Sequence, residues 1–333
     1  MTDTHTSQLT PIPHVLITGA TGFVGRALLN KLLTDSSLGH PHLALRSEPS
    51  NDFESINCSV VGNINSQTDW RDVLQGIDIV VHLAARVHVM ADVSDNPLMA
   101  YRDVNVEGTL ELLRQSARVG VKRFIFLSSI KVNGEETIDG NKFSEDSAPN
   151  PIDPYGVSKF EAEEGIKDFC KEAGIEYVII RPPLMYGPGV KANYLKLLDV
   201  IYRGIPLPFS CIHNRRSMLA LGNLVDFLSV ALTHPRAANQ TFLLSDGEDL
   251  SSKELVEKIS VAMGKRSRLI PLPVSILKLI GTLFGRSQAV SRLLGSLQID
   301  SSKAREYLNW MPPLTTQEGI TLTVKDFLVG KGK

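Results

Sequence analysis

The sequence has few cysteines, almost no net charge and no long apolar run. Its three cysteines are scattered without a Cys-x-x-Cys pair, and their odd count argues against a disulfide framework, so we expect reduced thiols and a cytoplasmic protein. The formal net charge of −1 argues against a global electrostatic grip on nucleic acid. No stretch reaches about 18 uncharged apolar residues, so no transmembrane helix is expected.

A targeting segment and repeats are lacking as well. Residues 1–13 have neither the basic region nor the apolar run of a signal peptide, and we predict a frayed tail there. The 333 residues are 43% hydrophobic and 21% charged, which is ordinary for a soluble globular protein. This length allows one large domain or two closely joined domains.

Short apolar segments alternate with helical patterns through the first half of the chain. The predicted strands cover 14–18, 42–45, 59–61, 78–83, 123–128 and 177–180, and the predicted helices cover 24–33, 103–119 and 157–173. This alternation predicts an α/β fold with a doubly wound parallel sheet. Prolines become frequent beyond Arg181, so we expect a sheet domain over 14–181 and a smaller lobe over 182–333. Residues 239–244 are a candidate strand returning to the main sheet.

Three glycines follow the first predicted strand and open the first predicted helix. Gly19, Gly22 and Gly25 have the spacing GxxGxxG. Glycines at such a turn let the backbone approach a pyrophosphate, which binds at the helix N-terminus. The sequence therefore predicts a dinucleotide site here, with a plain strand-to-helix turn as the alternative.

Arg46 lies where the second predicted strand ends. NAD-binding proteins place an acid there to bond the ribose 2′-OH, whereas an arginine accommodates the 2′-phosphate of NADP. No acid lies between residues 36 and 47. The cofactor is therefore predicted to be NAD or NADP, with NADP slightly favoured, unless Arg46 is only a solvated loop residue.

Tyr155 and Lys159 are four residues apart and therefore share one face of a predicted helix. A neighbouring ammonium is expected to lower the pKa of the phenol from its ordinary value near 10. Ser129 ends the fifth predicted strand, where open α/β sheets bind ligands, and its hydroxyl can bond the same substrate oxygen. The alternative is a Tyr-x-x-x-Lys pair that arose by chance on a surface helix.

These motifs in this order resemble the extended short-chain dehydrogenases/reductases. The matching segments are TGATGFVG (18–25), HLAA (82–85), NVEGT (105–109), SSIKVNG (128–134), YGVSK (155–159) and RPPLMYGPG (181–189). That group contains sugar-nucleotide 4-epimerases, 4,6-dehydratases and 4-keto reductases. The resemblance implies a Rossmann-like domain with a smaller C-terminal lobe that binds a nucleotide-sugar substrate.

The resemblance also implies the residues of the site. Ser129, Tyr155 and Lys159 are the implied catalytic residues. The expected cofactor-binding residues are Gly19, Thr21, Gly22, Phe23, Val24, Gly25, Arg46, Asn63, Ile64, Leu83, Ala84, Ala85, Asn105, Tyr155, Lys159 and Pro182. The expected substrate-binding residues are Arg86, Ser129, Lys131, Tyr155, Asn193 and Arg216. No metal site is expected, because no ligand cluster accompanies His82 and His88, for which we favour packing and ribose contacts.

Two departures from the family pattern limit which of the family's reactions and substrates we expect. Ile130 and Lys131 replace the Asp-Glu pair of the dehydratases, so dehydration lacks its acid. Leu184 replaces an asparagine that is usual in members acting on free UDP-sugars, which puts that diphosphate contact in doubt. We therefore expect oxidoreduction at C4 of a nucleotide-activated hexose. The leading interpretation is a UDP-sugar 4-epimerase of surface-polysaccharide biosynthesis, and we expect it to be a homodimer.

Three alternatives to this function stay open. The first is an NADPH-dependent 4-keto sugar-nucleotide reductase. The second is an epimerase that acts on a lipid-diphosphate-linked sugar at the inner membrane face. The third is a membrane-recruited assembly protein that uses the 274–297 segment. A non-catalytic NADP-sensing scaffold conflicts with the intact Tyr155 and Lys159.

The motifs do not explain a basic, partly apolar segment near the C-terminus. No acid occurs between Lys258 and Ile299, whereas seven residues of this stretch are basic. Residues 274–285 are strongly apolar, and a basic amphipathic helix can lie on an anionic membrane surface. The sequence thus allows peripheral membrane contact through 274–297. The alternative is a core-packed helix whose basic residues face a diphosphate.

Overall fold

A computed structural model describes residues 11–49, 53, 56–87, 96–138, 140–285 and 287–332. The first ten residues of the predicted tail, His88 and Arg286 lie outside this range. Within it, no helix is both long enough and apolar enough to span a membrane.

The chain alternates between strands and helices for most of its length. The strands are His14–Thr18 (β1), His40–Leu45 (β2), Asn57–Val60 (β3), Ile79–His82 (β4), Arg123–Leu127 (β5), Glu176–Arg181 (β6), Leu184–Tyr186 (β7), Arg216–Ala220 (β8), Gln240–Leu243 (β9) and Asp249–Leu250 (β10). The helices are Phe23–Thr34 (α1), Pro97–Arg102 (α2), Gly108–Arg118 (α3), Pro154–Ala173 (α4), Ala192–Tyr202 (α5), Leu221–Thr233 (α6), Ser252–Ala262 (α7), Val274–Leu283 (α8), Ser287–Leu294 (α9), Ser302–Leu308 (α10) and Thr316–Lys331 (α11).

Seven strands form one parallel sheet in the order β3-β2-β1-β4-β5-β6-β9. This confirms the predicted doubly wound, Rossmann-like fold. β9 returns from the second half of the chain and pairs with β6, with Ile179 opposite Thr241. Because the strands are parallel, the residues that follow β1, β4 and β5 meet at one edge, which is where such sheets bind ligands.

Helices cover both faces of the sheet, as a buried parallel sheet requires. α1 and α6 pack on one face through a core that includes Leu28 and Leu228. α3 and α4 cover the other face, through Leu112 and Ile166. The helix that carries Tyr155 and Lys159 is thereby packed against the sheet.

Local signals in the sequence explain the limits of α4. The Asp153 side chain accepts a hydrogen bond from the N–H of Gly156, and Pro154 fits the first turn because it lacks an N–H. Gly174 ends the helix at φ 71°, in the left-handed region that favours glycine. The predicted helix over 103–119 starts earlier than expected, since α2 continues through a π-helical turn, Asp103–Glu107, into α3.

The C-terminal lobe contains a smaller sheet in the order β10-β8-β7. Tyr186, Leu198, Met218 and Val324 belong to its separate apolar core. A small cluster around Ile130, Leu243 and Ile299 lies outside these larger cores. Since β9 crosses back into the main sheet, a single division at residue 181 stays a prediction.

Candidate active site

The glycine turn after β1 is a close-packed cradle. Gly19 has φ 70°, and a Cβ there would lie 2.8 Å from the Ala84 nitrogen. A Cβ on Gly25 would lie 2.2 Å from the Gly19 oxygen, so α1 can pack this tightly only with glycine at that position. Gly22 caps α1 without a side-chain hydrogen bond, and the first turn carries no acid. The turn thus presents backbone N–H groups and a helix N-terminus to an anion.

A cavity of 850 Å³ opens at the carboxyl ends of β1, β2 and β4; we call it the carboxyl-edge cavity. The predicted residues that line it are Gly19, Thr21, Arg46, Asn63, Ile64, Ala84, Ala85 and Arg86. Seven of these were expected on the cofactor. Arg86 was expected on the substrate, but the structure places it beside the cofactor residues, because it follows β4 directly.

The remaining predicted cofactor residues of the turn do not line the carboxyl-edge cavity: they are buried in α1 or line a different cavity. Val24 and Gly25 are buried in α1. Thr21, Gly22 and Phe23 also line a second cavity of 660 Å³ between α1 and the Gly187–Gly189 turn. Pro182 is buried, and its carbonyl accepts a hydrogen bond from the Ile130 N–H at 3.0 Å.

His82 is part of a buried hydrogen-bond chain that links three of the motifs. Its Nδ1 lies 2.7 Å from the Thr18 hydroxyl and its Nε2 lies 3.0 Å from the Thr109 hydroxyl. The Thr109 hydroxyl donates to the Asn105 carbonyl, so it accepts from Nε2–H and the ring is neutral. Burial, with a contribution from Lys159, lowers the pKa of His82 to about 3. The expected packing role is confirmed, whereas both ring nitrogens are engaged and neither is left for a ribose.

Asn105 fastens the loop after β4 to α4. Its side-chain oxygen accepts from the Arg86 N–H at 2.8 Å, and its amide nitrogen donates to the Arg86 carbonyl and the Ser158 hydroxyl, both at 3.0 Å. The π-helical turn directs this side chain inward. Asn105 therefore holds the loop after β4 against α4, the helix that carries Tyr155. A direct contact between Asn105 and the dinucleotide stays a prediction.

Ser129 and Tyr155 meet beyond the end of β5. Ser129 caps a short 3-10 turn, and its hydroxyl accepts from the Lys131 N–H at 3.3 Å. Burial raises the pKa of Tyr155 above its ordinary value, Asp153 and Tyr101 raise it further, and a hydrogen bond with the Ser129 side chain opposes them. The expected lowering of this pKa by Lys159 is not observed, so Tyr155 holds its proton at neutral pH.

Lys159 points toward the sheet. Its Nζ donates to the Leu127 carbonyl at 2.8 Å and lies 4.2 Å from the centroid of the Phe126 ring. Burial lowers the pKa of Lys159 to about 7, although Glu163, one helical turn later, raises it. The ammonium of Lys159 is thus engaged with β5, and Lys159 is not among the groups that shift the pKa of Tyr155.

The buried lysine leads to an expected pH dependence of stability. The pKa of Lys159 is about 7 in the folded chain against an ordinary value of 10.5, so the unfolded chain binds more protons between these values. The contribution of Lys159 to the free energy of unfolding should therefore rise with pH from about 7 to 10.5, by up to about 1.4 kcal/mol per pH unit, and fall as the lysine becomes protonated. Urea titrations across this range should show a flatter slope for Lys159→Met. Equal slopes in both proteins would contradict the buried lysine.

A buried ionic network between α4 and the end of β6 was not predicted from the sequence. Glu163 is fully buried and accepts from the Arg181 Nε at 3.0 Å and from the Ser128 hydroxyl. Arg181 also donates to the Asn133 side chain at 3.0 Å. The network joins α4, the end of β6 and the loop that carries Ser129. The only sequence signal was an acid four residues after Lys159, on the same face of the helix.

A third cavity, of 450 Å³, lies between the residues just before Tyr155 and α9; we call it the hairpin cavity, after the helix pair α8 and α9. It is lined by Glu135, Glu136, Ile152, Asp153, Pro154, Ser291, Arg292 and Gly295. Of the predicted substrate residues, Lys131 forms ion pairs with Glu135 and Asp153 at its edge. Arg216 donates to the carbonyls of Arg292 and Gly295 at 2.9 and 3.0 Å. Asn193 is exposed at the start of α5, and its substrate contact stays a prediction, as does that of Arg216.

Comparison with known proteins agrees with this geometry. The model of the NAD dependent epimerase/dehydratase family matches residues 15–244. The chain belongs to the NAD dependent epimerase/dehydratase family. The match runs from β1 to just beyond β9, which covers every strand of the main sheet, so the chain is a member of a family of NAD-dependent enzymes.

Relatives of this family member match most of its length. A UDP-glucose 4-epimerase of Vibrio cholerae is 45% identical over 94% of this chain and 95% of its own. An N-acetyl-alpha-D-glucosaminyl-diphospho-ditrans,octacis-undecaprenol 4-epimerase of Escherichia coli O157:H7 is 29% identical over 94% of each chain. The structure of UDP-glucose 4-epimerase from Thermotoga maritima, solved with UDP-glucose, matches with a TM-score of 0.75 at 23% identity, over 96% of this chain and 99% of that one. This last likeness establishes the shared fold.

Proposed function

We propose that the protein is an NAD-dependent 4-epimerase of a UDP-activated hexose. The observation that carries this is the interaction of the Ser129 side chain with the Tyr155 phenol, whose pKa it lowers against the effect of burial, at the carboxyl edge of the sheet that also holds the glycine cradle. The 45% identical relative from Vibrio cholerae, which bears the name UDP-glucose 4-epimerase, supports the same reaction. The Asp-Glu pair of the dehydratases is replaced by Ile130 and Lys131, and 4-epimerisation eliminates no water.

The dinucleotide fits the residues at this edge. The cradle that a Cβ on Gly19 or Gly25 would fill suits the diphosphate, and the carboxyl-edge cavity beside Arg46 suits the adenosine half. NAD, when bound, accepts a hydride from C4 and returns it. Lys159, whose Nζ donates to the Leu127 carbonyl at the end of β5, is proposed to hold the nicotinamide ribose.

The protein's own residues handle the proton on the substrate O4. Tyr155 takes this proton as C4 is oxidised and returns it as C4 is reduced, and the Ser129 hydroxyl holds the same oxygen in place. Because burial keeps the free phenol protonated, Tyr155 is ready as an acid. It becomes a base only when a positive charge lies close to it, since such a charge favours the phenolate.

A test of the bound nucleotide separates the epimerase from a 4-keto reductase. An epimerase reoxidises its own cofactor in each cycle, so it should purify with NAD and convert UDP-glucose or UDP-N-acetylglucosamine without consuming NADPH. Denaturing the purified protein and identifying the released nucleotide gives the first result, and NADPH absorbance with a UDP-4-keto sugar gives the second. Steady NADPH oxidation by a protein free of bound nucleotide would establish the reductase instead.

Arg46 is proposed to permit NADP as well as NAD. Its exposed side chain lies at the end of β2 on the wall of the carboxyl-edge cavity. A charge-assisted hydrogen bond is worth about 1.5–3 kcal/mol, so Arg46→Ala should weaken NADP roughly tenfold or more and leave NAD within about twofold. Fluorescence titration of both nucleotides measures this, with Arg71→Ala, a surface arginine paired with Asp69, as the control. Unchanged NADP affinity would make Arg46 a solvated loop residue.

A sugar carried on a lipid diphosphate is a second candidate substrate. Leu184, where many members have an asparagine, is 48% exposed, and α9 forms a wall of the hairpin cavity close to Tyr155. The relative from Escherichia coli O157:H7, whose name describes an undecaprenol-linked substrate, supports this alternative. Parallel assays with UDP-N-acetylglucosamine and undecaprenyl-diphosphate N-acetylglucosamine compare the two. Turnover of the nucleotide sugar alone would exclude the lipid-linked substrate.

A further inference from the structure

α8 exposes most of its apolar side chains. Within the helix only Leu277 and Gly281 are buried. The large apolar side chains left exposed on α8 and just after it are Ile276, Leu279, Ile280, Leu283 and Phe284, the last two at 73% and 75%. α8 packs chiefly against α9, and we call the two helices the α8–α9 hairpin. The expectation of a core-packed helix is therefore wrong, and this apolar face needs a partner.

Every charged residue within the segment that carries this face is basic, and the acid Glu135 contacts Arg292 from another part of the chain. No acid occurs from residue 258 to 299. The exposed basic residues that precede the hairpin or lie on it are Lys265, Arg266, Arg268, Lys278 and Arg292. Ile270, between the first group and α8, is also exposed. An apolar helix face bordered by cations matches the boundary between headgroups and acyl chains of an anionic bilayer.

The same charges disfavour a second copy of the chain as the partner. A two-fold interface buries the same surface of both protomers, so Lys278 and Arg266 would be brought against a second copy of a segment that carries no acid. α8 has ten residues, which gives a helix of about 15 Å. A helix of this length can lie in the plane of a membrane surface and cannot cross it.

The hairpin is tied to the wall of the candidate active site. Asn214 donates to the carbonyls of Leu293 and Gly295 at 3.2 and 3.0 Å, at the end of α9. Arg292 is 3.3 Å from Glu135, which pairs with Lys131. The hairpin cavity is bounded by α9 on one side and by Asp153, two residues before Tyr155, on the other. A surface that binds α8 therefore lies next to the opening of the site.

We propose that the α8–α9 hairpin docks the protein on an anionic membrane surface, with the hairpin cavity beside the headgroups. The apolar side chains of α8 enter the acyl boundary, and the basic residues contact lipid phosphates. Docking does not depend on which sugar is converted, so vesicle binding tests this proposal independently of the proposed function.

Vesicle flotation of the full-length protein tests the docking. Binding is expected to equimolar phosphatidylglycerol and phosphatidylethanolamine at low salt, and it should fall at least tenfold at about 0.5 M NaCl because screening weakens the ionic part. Leu283→Ser/Phe284→Ser and Arg266→Gln/Lys278→Gln should each weaken binding roughly tenfold or more. The matched control is Leu33→Ser/Val329→Ser, which removes two exposed apolar side chains from α1 and α11 and should bind as the wild type does.

Activity on a soluble UDP-sugar shows that each variant is folded, and it should stay within about twofold of the wild type. Equal binding to phosphatidylcholine vesicles, or equal binding by the hairpin variants and the control, would overturn the proposal. So would a change from dimer to monomer in Leu283→Ser/Phe284→Ser, measured by sedimentation, because the face would then be an interface between copies of this chain.

Discussion

Tyr155→Phe is expected to lower kcat by roughly 10²–10⁴-fold while the dinucleotide binds as before. The substitution removes only the hydroxyl that meets Ser129, and the ring keeps its edge-to-face contact with Tyr101 at 6.2 Å. Without that hydroxyl, the proposed acceptor of the O4 proton is lost. Steady-state turnover of a UDP-sugar gives the loss, and titration with NAD shows that the cofactor site is intact.

Tyr101→Phe is the matched control for this result. Its ring lies against Tyr155, and its hydroxyl donates to the Val87 carbonyl at 3.3 Å, a long hydrogen bond. Loss of a neutral hydrogen bond is worth about 0.5–1.5 kcal/mol, so turnover should drop tenfold at most. If Tyr155→Phe kept turnover within twofold of the wild type, the phenol would have no part in the chemistry. If Tyr155→Phe and Tyr101→Phe lowered turnover equally, a change in the packing of the two rings would explain the effect.

Glu163→Gln is expected to lower the free energy of unfolding by about 3–5 kcal/mol, because it leaves the buried Arg181 without its carboxylate. The side chain of Glu163 is 0% exposed and that of Arg181 is 3% exposed, so water cannot replace the lost partner. The same change removes a charge that raises the pKa of Lys159, so that pKa should fall further below its ordinary value.

Glu161→Gln, on the same helix, is the control for the buried pair. Glu161 pairs with Arg102, and their side chains are 30% and 39% exposed. An exposed pair of this kind is worth about 0.2–1 kcal/mol, so its loss should shift the urea midpoint only slightly. Equal losses for the two variants would show that Glu163 contributes no more than a surface pair does. A shift in the pH profile of Glu163→Gln alone would tie the network to Lys159.

The main sheet was predictable from the sequence because its strands are short, fully buried apolar runs. β1, β4 and β5 were each located to within a residue or two of their ends. The glycine turn was equally predictable, since the φ of 70° at Gly19 favours glycine and the close approach at Gly25 leaves no room for a Cβ. The return of β9 to the main sheet was recognised as a candidate and is confirmed.

The individual roles in the site were less predictable. The expected cofactor residues around Arg46, Asn63 and Ala85 do line one cavity, because parallel strands bring their carboxyl ends to one edge. The direction of Lys159 and the buried pair of Glu163 with Arg181 depend on partners from β5 and β6. Such partners are 18 to 32 residues away in the chain, beyond the reach of a helical pattern.

Composition and spacing by themselves determined an α/β chain with a parallel sheet, a phosphate-binding glycine turn, and a serine, tyrosine and lysine in the right order at its edge. These features follow from local rules of backbone conformation and side-chain periodicity. Only the tertiary structure decided that Tyr155 keeps its proton, that His82 is a structural residue and that α8 faces outward. Each of these depends on burial, and burial is set by which distant elements pack around a side chain.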